Sequence, residues 1–486
     1  MNVREASILM GADASLVSAK LFDKQIVDFS IDSRSAKAGE LFFALSQEDY
    51  ARAGFNGTFA DAHEFIAEAF AHGAIAAVAR SERVSGDEKL SRLKDRLLLV
   101  DDAIAALQTL AHEVYQAWGR PVIGITGSAG KTTAKELTAQ ILRGTGKRVL
   151  KSERNYNNGL GLPLSVLKMV SAGHSPADFD LAVLEMGMSS PTHEIRRLVQ
   201  ITPPDVGVEL MVAPVHLEYL GSIENIAAAK AELIEGLKPD GVAVLNADDE
   251  WVIKMRDKHP GRTITFGIDR PADVSASDIR TGHLGLIEFR LQTPLGSAPA
   301  VLPMSGRHNL MNALAAAAVA TCFEMTPEEI ATALNDARPP EMRGTTLNFA
   351  GGFSVVDDSY NSNPRSLISM VRTIVEANDV RRRRIVIAGE MLELGPDAAE
   401  LHREAGREIA RLGVNVLWGV RGLAEQLVAG AQEAGLKETR FFNNSDEAGA
   451  AIVEQLTEGD LVLIKGSRGV ATDKVVRAIR QSFEEK

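Results

Sequence analysis

The chain has 486 residues, which at about 150 residues per domain predicts roughly three folding units. Its 45% hydrophobic and 24% charged residues are ordinary for a globular protein and exclude a disordered or fibrous chain. The net charge is −12, and an acidic surface argues against a general binder of nucleic acid. The single cysteine, Cys322, excludes an internal disulfide framework and a thiolate zinc cluster.

The first hundred residues predict a small α/β unit. Short apolar runs predict strands at residues 29–31, 41–44, 74–78 and 97–100, and helices at 63–71 and 101–118. The mixed charges near the start indicate no signal peptide, and no apolar run is long enough to span a membrane. We therefore expect a soluble, cytoplasmic protein.

The remainder alternates strands with helices. Strands are predicted at 121–126, 180–185, 205–208 and 241–246, a strand-rich stretch at 262–302, an alanine-rich helix from Leu310, and further strands at 353–356, 384–387, 414–418 and 461–464. Near-continuous apolar strands between helices are typical of parallel sheets covered on both faces. Breaks near residues 105 and 337 predict segments 1–105, 106–337 and 338–486.

A glycine-rich turn between a predicted strand and a helix is the strongest local signal. It reads Gly127, Ser128, Ala129, Gly130, Lys131, Thr132, Thr133. Glycines let the backbone approach phosphate, and the N–H groups of a helix N-terminus bind anions. Lys131 would contact the phosphates and Thr132 would offer a hydroxyl to Mg²⁺. A lysine in the first turn opposes the helix dipole, so an anion in the loop is favoured over a simple turn. Ile125 replaces the first glycine of the generic pattern, which argues against a nucleotide switch or transport ATPase.

Glu185 ends a predicted strand, where ligands bind in open parallel sheets. Alone, such a glutamate is more often a capping or surface residue. Beside the phosphate loop it becomes a candidate Mg²⁺ ligand, because Mg²⁺ prefers oxygen ligands.

Lys230 lies in the apolar stripe of a predicted helix at 223–237, with Glu224, Glu232 and Glu235 placed outside that stripe. Burial depresses the pKa of a lysine. Such a lysine snorkels, pairs with a carboxylate, or captures CO₂ to form a carbamate that could bind a second Mg²⁺. His216 could complete that site, although a lone histidine is more often structural.

Asparagines cluster at Asn155, Asn157 and Asn158, in the segment N-Y-N-N-G-L-G-L-P. They could build a turn or bind a polar substrate, and the residues alone leave both readings open.

Taken together, several segments resemble the Mur ligases of peptidoglycan synthesis. They are T-G-S-A-G-K-T-T-A-K-E, N-Y-N-N-G-L-G-L-P, E-M-G-M, H-L-E-Y-L-G-S, A-A-A-K-A-E-L, G-R-H-N-L-M-N-A-L-A-A-A, M-R-G, D-D-S-Y-N-S-N-P, A-G-E-M-L-E-L-G and I-K-G-S-R-G. The resemblance covers residues from about 120 to 475, and the first hundred match more weakly through D-S-R and E-L-F-F-A-L.

The resemblance implies an α/β protein of three domains: a small N-terminal domain for a UDP-sugar (1–105), a central ATPase domain with a P-loop and a parallel sheet (106–337) and a Rossmann-like C-terminal domain (338–486). The last motifs imply an ATP-dependent ligase that adds D-alanyl-D-alanine to UDP-N-acetylmuramoyl-tripeptide through an acyl phosphate. This reaction belongs to cytoplasmic cell-wall precursor synthesis, and so to cell shape and division. The implied partners are these small molecules, ATP and two Mg²⁺, with no nucleic acid or membrane span, and we expect a monomer.

The resemblance also implies roles for matching residues. The seven residues from Gly127 to Thr133 would hold the ATP phosphates. Asn309 would contact adenine, Arg343 the γ-phosphate and Asp358 the ribose. Thr132 and Glu185 would bind one Mg²⁺, and His216 would bind a second with carbamylated Lys230. Lys131, Lys230, His216 and Arg343 are the implied catalytic residues. The implied substrate-binding residues are Ser33, Arg34, Asn157, Asn158, Tyr360, Asn361 and Asn363.

Three departures from the family pattern concern substrate binding. Leu210-Met211 stand where the family usually carries T-N or N-N, Glu390 replaces an aspartate, and residues 47–62 replace a shorter glycine-rich loop. The alternatives are a related ligase adding diaminopimelate or lysine, folylpolyglutamate synthase, and a non-catalytic nucleotide-binding protein. The last is disfavoured because Lys131, Glu185 and Lys230 are all present.

Overall fold

The computed structural model describes residues 1–55, 57–153, 156–171, 173–188, 193–214, 220–283, 285–377 and 383–486. Within these residues the strands form three sheets that follow one another along the chain. Each sheet lies inside one of the three segments predicted from the sequence. The segment boundaries themselves stay predictions, and the one at residue 105 falls in the first turn of a helix.

The N-terminal sheet is parallel, with its described strands in the order β1-β2-β3-β4. Its strands are β1 (Phe29–Ser30), β2 (Leu41–Phe43), β3 (Ala76–Arg80) and β4 (Leu97–Val100). The helices are α1 (Val3–Leu9), α2 (Ala19–Phe22), α3 (Gln47–Arg52), α4 (Ile66–Ala71), α5 (Ser81–Gly86), α6 (Glu88–Ser91) and α7 (Ala103–Trp118), with 3₁₀ turns at Ser33–Ser35, Ala62–Phe65 and Lys94–Arg96.

Helix α7 starts two residues later than predicted because Asp102 caps it. The Asp102 carboxylate accepts hydrogen bonds from the backbone N–H groups of Ile104 and Ala105. Gly119, with a φ of 62°, ends the helix in the left-handed conformation that glycine adopts without strain. The predicted helix at 63–71 likewise divides into a 3₁₀ turn and α4.

The central sheet has nine described strands in the order β13-β12-β11-β10-β9-β8-β5-β7-β6. It is parallel from β6 to β11 and antiparallel across β11, β12 and β13. The strands are β5 (Val122–Thr126), β6 (Val149–Lys151), β7 (Leu181–Glu185), β8 (Val206–Glu209), β9 (Val242–Asn246), β10 (Arg262–Gly267), β11 (Val274–His283), β12 (Leu286–Thr293) and β13 (Gly296–Leu302).

Helices cover both faces of this sheet, and each face has its own apolar core. They are α8 (Lys131–Arg143), α9 (Gly161–Leu167), α10 (Glu194–Ile201), α11 (Ile223–Glu235), α12 (Arg307–Thr321) and α13 (Pro327–Asn335), with 3₁₀ turns at Lys168–Val170, Pro176–Asp178 and Ile253–Lys258. Buried residues of α8 and α12 pack in one core, and those of α11 pack in the other.

The C-terminal sheet has six described strands in the order β14-β15-β19-β16-β17-β18, and only its edge strand β14 is antiparallel. The strands are β14 (Thr345–Asn348), β15 (Ser354–Asp358), β16 (Arg384–Gly389), β17 (Val416–Val420), β18 (Glu438–Phe442) and β19 (Leu461–Lys465). The helices are α14 (Pro364–Glu376), α15 (Ala398–Arg411), α16 (Ala424–Glu433), α17 (Ser445–Val453) and α18 (Asp473–Ser482), with 3₁₀ turns at Gly395–Asp397 and Arg468–Val470.

The predicted strands are present with shifts of one or two residues at their ends. Three strands escaped prediction: β6, β14 and β18. Each forms an edge of its sheet, β6 has only three residues, and β14 and β18 carry several polar residues. The alanine-rich helix α12 begins at Arg307 rather than Leu310. Within the described residues, no helix has both the length and the apolar content that a membrane crossing requires.

Candidate active site

A cleft of about 430 Å³ lies where the carboxyl ends of strands from the central and C-terminal sheets face each other. It is lined by predicted site residues from both sheets: Ser128, Ala129, Gly130, Lys131, Thr132, Thr133, Asn157, Asn158, Glu185, Asn309, Arg343, Asp358, Tyr360, Asn361 and Asn363. Ligands bind at this edge of open α/β sheets, so the cleft is the candidate active site.

Gly130 allows the phosphate loop to turn sharply into α8. Its φ is 86°, and a Cβ added there would lie 2.3 Å from Oδ1 of Asn312 on α12. Both the conformation and the space therefore require glycine. Ser128 joins the loop to the chain after β8, since its N–H donates to the Met211 carbonyl and its Oγ bonds to the backbone of Ala213.

Lys131 begins α8 and points back over its own loop, where Nζ donates a 2.8 Å hydrogen bond to the carbonyl of Gly127. Burial lowers the pKa of Lys131, while the carboxylates of Glu185 and Glu209 raise it and Arg343 lowers it. The charge of Lys131 is thus stabilised by two nearby carboxylates and disfavoured by a nearby arginine.

Glu185, at the end of β7, is buried and fully partnered. Oε2 accepts a 2.9 Å hydrogen bond from Thr132, and Oε1 accepts one of the same length from Nδ2 of Asn157. Its backbone N–H donates to Oγ of Ser152. A carboxylate and a hydroxyl thus converge beside the phosphate loop, and this oxygen donor set fits Mg²⁺.

The C-terminal wall of the cleft carries charge at the ends of β15 and β19. Nζ of Lys465 donates to the Asp358 carboxylate (2.6 Å) and to the Asn361 carbonyl (2.8 Å). Arg343 lies over the ring of Tyr360, 4.1 Å from its centroid. Cationic side chains therefore face the phosphate loop from across the cleft.

Some predicted ligands also have structural bonds. Asn363 caps α14 by accepting from the N–H of Ser366, and Asn158 accepts from the N–H groups of Leu160 and Gly161. The buried amide of Asn309 donates to the Ser305 carbonyl. For Asn158 the turn-building interpretation is therefore observed, and it still lines the cleft.

His308, next to Asn309, was not predicted as a site residue, yet it lines the cleft and contacts Oγ of Ser369. Burial lowers the pKa of His308 to about 4, and this outweighs the nearby Asp358 carboxylate. The imidazole is therefore neutral at pH 7.

Lys230 and Glu209 lie outside the cleft, between the central sheet and α11. Both are buried, as the apolar stripe predicts for Lys230. The prediction that Glu232 lies away from the buried face is wrong: Glu232 is buried, where it accepts from the N–H of Arg196 and contacts His193. His216 and Asn155 lie outside the described residues.

Ser33 and Arg34 belong to a second pocket, of about 580 Å³, on the N-terminal sheet. Oγ of Ser33 donates to Glu68, and Arg34 forms a two-pronged pair with Asp32. Three aromatic residues that sequence reasoning missed also line this pocket: Tyr50, Phe59 and Phe65. Tyr50 and Phe59 come from the segment at 47–62 that departs from the family pattern, so this departure shapes the pocket.

The other departures have local structural effects. Leu210 packs beside Gly127, which has no room for a Cβ there. Oε1 of Glu390 accepts from the N–H of Leu423 before α16, away from the cleft. The cleft residues without a predicted role include Asn312, Lys465, Ser467 and Arg468. The last three lie in the I-K-G-S-R-G motif, which was the available signal.

A phosphate-binding loop lies at the carboxyl edge of a parallel sheet, and a second α/β unit with cationic side chains faces it. This arrangement is typical of enzymes that bind a nucleotide and carry out their reaction between two sheets.

Comparison with known proteins identifies the family. The family model described as "Mur ligase middle domain" matches residues 125–320. The family model described as "Mur ligase, glutamate ligase domain" matches residues 341–468. The UDP-N-acetylmuramoyl-tripeptide–D-alanyl-D-alanine ligase of Bacillus subtilis is 32% identical over 452 residues, 93% of this chain and 92% of that protein. This chain therefore belongs to the Mur ligase family, and it is an ATP-dependent ligase.

Solved structures agree with this result. MurF from Acinetobacter baumannii is similar with a TM-score of 0.83 and 26% identity, covering 99% of this chain and 98% of that chain. MurF ligase from Thermotoga maritima, solved in complex with ADP, has a TM-score of 0.77 and 25% identity, covering 95% of this chain and 98% of that chain. The three-domain α/β architecture is thus shared over the whole length.

Proposed function

We propose that the chain joins D-alanyl-D-alanine to UDP-N-acetylmuramoyl-tripeptide and converts ATP to ADP and phosphate. The observation that carries the proposal is the cleft, where Lys131 and the Thr132–Glu185 pair face Arg343 and Lys465. This arrangement, in a chain similar over its full length to ligases of that name, suits a reaction that gathers negative charge between two walls.

The chemistry requires an activated carboxyl group, because a carboxylate is a poor acyl donor. The terminal carboxylate of the tripeptide attacks the γ-phosphorus of ATP, and the resulting acyl phosphate is attacked by the dipeptide amine. Phosphate then leaves from a tetrahedral intermediate. Lys131 and Arg343, which both line the cleft, would stabilise the phosphoryl oxygens, and the cleft walls would limit hydrolysis of the acyl phosphate by excluding water.

Mg²⁺ fits the oxygen donors of Thr132 and Glu185, which we propose as its protein ligands. Bound there, the ion would neutralise phosphate charge. We propose a second site that involves His216 and Lys230 as a carbamate. The burial of Lys230 supports this role, because burial lowers the pKa of its amine and favours the neutral, nucleophilic form.

The N-terminal pocket is our proposed site for the UDP moiety. The rings of Tyr50, Phe59 and Phe65 offer apolar faces to a planar base, and Ser33 and Arg34 lie at the same pocket. Asn157, Asn158, Tyr360, Asn361 and Asn363 would contact the peptide or dipeptide, Asn309 the adenine, and Asp358 the ribose. We propose domains at 1–105, 106–337 and 338–486, and a monomer that works in the cytoplasm.

Substrate-dependent phosphate release tests the proposal. The purified chain with ATP and Mg²⁺ is expected to release phosphate only when UDP-N-acetylmuramoyl-tripeptide and D-alanyl-D-alanine are both present. Tripeptides ending in lysine and in diaminopimelate are assayed in parallel, because residue three is not specified by the cleft. Equal turnover with free diaminopimelate, lysine or glutamate in place of the dipeptide would contradict the proposal and favour a related ligase.

A further inference from the structure

Glu209 is a buried carboxyl group beside the phosphate loop to which the proposed chemistry gives no task. It ends β8, its exposed fraction is 0%, and neither of its carboxylate oxygens has a hydrogen-bond partner in the described part of the chain. Leaving a buried polar group unpaired destabilises the folded state, and the effect is larger for a charged group. Stability alone therefore gives no reason for a carboxylate at this position.

The register of the sheet shows which way Glu209 faces. Side chains alternate along β8, and a Cβ on Gly207, two residues before Glu209, would meet Leu233, Ile234 and Leu237 of α11. Glu209 is therefore on the face that α11 covers.

The direction of α11 brings Lys230 to the same place. This helix connects β8 to its parallel neighbour β9, so it runs opposite to both strands. Moving two residues along β8 from Gly207 to Glu209 thus corresponds to moving about one turn back along α11, from Ile234 to Lys230. The two buried side chains face each other across the sheet–helix interface.

Lys230 is buried as well, with an exposed fraction of 2%. Its amine forms no hydrogen bond or ion pair with any residue that the structure describes. Burial lowers the pKa of Lys230 and raises the pKa of Glu209, and in each case the other residue opposes that effect. Oγ1 of Thr126, opposite Glu209 in the strand register, is another buried polar atom that has no hydrogen-bond partner among the described residues.

We propose that Glu209 is a positioning residue for Lys230: its carboxyl group holds the Lys230 side chain, through one bridging water, at the strand end beside the phosphate loop. The proposal rests on the proposed role of Lys230 in the reaction. This pairing explains why a buried carboxyl group and a buried amine occur on the same face of the sheet, where without a role they would only destabilise the fold.

A double-mutant cycle tests the proposal. Glu209→Leu, Lys230→Met and the double variant are assayed for phosphate release with the complete substrates, and their thermal midpoints are measured. Glu209→Leu is expected to lower kcat on the order of 10- to 100-fold, with KM for ATP within about twofold. The double variant is expected to be no slower than Lys230→Met, because the two residues act as one unit.

Thermal midpoints test the pairing of the two groups. Glu209→Leu leaves the buried Lys230 amine facing an apolar side chain, so its thermal midpoint is expected to fall below that of the parent protein. The double variant is expected to recover the midpoint, because both polar groups are then absent. Glu209→Gln keeps a hydrogen-bonding group of the same size and is expected to retain kcat within about fivefold. If the leucine variant does not fold, Glu209→Ala is assayed in its place, and the same loss of kcat is expected. Glu224→Leu, an exposed position on the same helix, is the matched control.

Each outcome has a defined meaning. Wild-type kcat in Glu209→Leu, a loss in Glu209→Gln as large as in Glu209→Leu, or multiplicative losses in the double variant would overturn the role of Glu209. Normal kcat in Lys230→Met would instead overturn the proposed role of Lys230. The parent enzyme's dipeptide-dependent phosphate release tests the proposed function separately.

Discussion

Glu185 and Glu209 flank the strand that carries the phosphate loop, but their surroundings are opposite. Glu185 pairs in register with Ile125 and Glu209 with Thr126, which are consecutive residues of β5. Because side chains alternate along a strand, the two carboxylates lie on opposite faces of the sheet. Glu185 accepts bonds from Thr132 and Asn157, whereas Glu209 accepts none among the described residues.

This difference shows how one residue type at one sheet edge takes two roles. The partnered carboxylate is held in one orientation beside the phosphate loop and is ready to bind a cation. The unpartnered carboxylate retains its full hydrogen-bonding capacity for a group that comes to it. Substitutions on the two faces of the sheet test this difference.

Lys131→Ala removes the cation that both carboxylates influence, and we expect the largest loss, on the order of 10³-fold in kcat for phosphate release. The thermal midpoint is expected to change little, because among the described residues the Lys131 amine has a single hydrogen bond, to the backbone carbonyl of Gly127. Lys147→Ala, beyond the other end of α8, serves as the control. A loss below tenfold would contradict a phosphate-binding role for Lys131.

Glu185→Gln keeps the size of the partnered carboxylate and removes its charge. We expect kcat to fall by about 10²-fold and the Mg²⁺ concentration for half-maximal activity to rise, because an amide is a weaker Mg²⁺ ligand. Titrating Mg²⁺ after treatment with a chelator measures both quantities. The exposed Glu153→Gln is the comparison variant. An unchanged Mg²⁺ requirement would remove Glu185 from the proposed metal site.

Asn157→Ala removes one donor from Glu185 and leaves the Thr132 bond. The expected effect is about tenfold in kcat and about 1 kcal/mol in the free energy of unfolding, as one charge-assisted hydrogen bond at a half-buried site predicts. Denaturant unfolding and the rate assay are run beside the exposed Asn443→Ala. A loss as large as that of Glu185→Gln would show that Asn157 acts on substrate directly.

Thr126→Val and Thr132→Val are matched substitutions on the two faces. The Thr126 hydroxyl is buried and has no hydrogen-bond partner among the described residues, so its replacement is expected to leave kcat within about twofold and to change stability by less than about 1 kcal/mol. The Thr132 hydroxyl is bonded to Glu185, so its replacement is expected to slow the reaction clearly. Destabilisation above about 2 kcal/mol in Thr126→Val would mean that the hydroxyl is bonded on the Glu209 face.

The sequence predicts the Glu185 face much better than the Glu209 face. Lys131 and Glu185 follow apolar strands directly, and the rule that parallel strands end at one edge predicts that they meet. Glu209 was passed over because the predicted strand stopped at Val208. A charged residue between Val208 and Leu210 was the available signal, but strand alternation does not reveal which face a side chain takes.

The sequence patterns also could not predict contacts between segments that are distant along the chain. The position of Asn312 against Gly130 depends on how α12 packs on α8, and the Lys465–Asp358 pair depends on β19 lying beside β15. No local pattern encodes these neighbours, because strand order along a sheet differs from chain order. The motif resemblance supplied site roles that the residue patterns alone left open.

Lys131 and Arg343 belong to opposite walls of the cleft, and Arg343 lowers the pKa of Lys131 by disfavouring its positive charge. Like charges facing one another push their walls apart, whereas a polyphosphate placed between them attracts both. A bound nucleotide would then be both a reactant and a source of electrostatic attraction between two sheets that belong to different segments of the chain. Once the γ-phosphoryl group has left as phosphate, this attraction would be weaker. The reaction itself would therefore favour opening of the cleft.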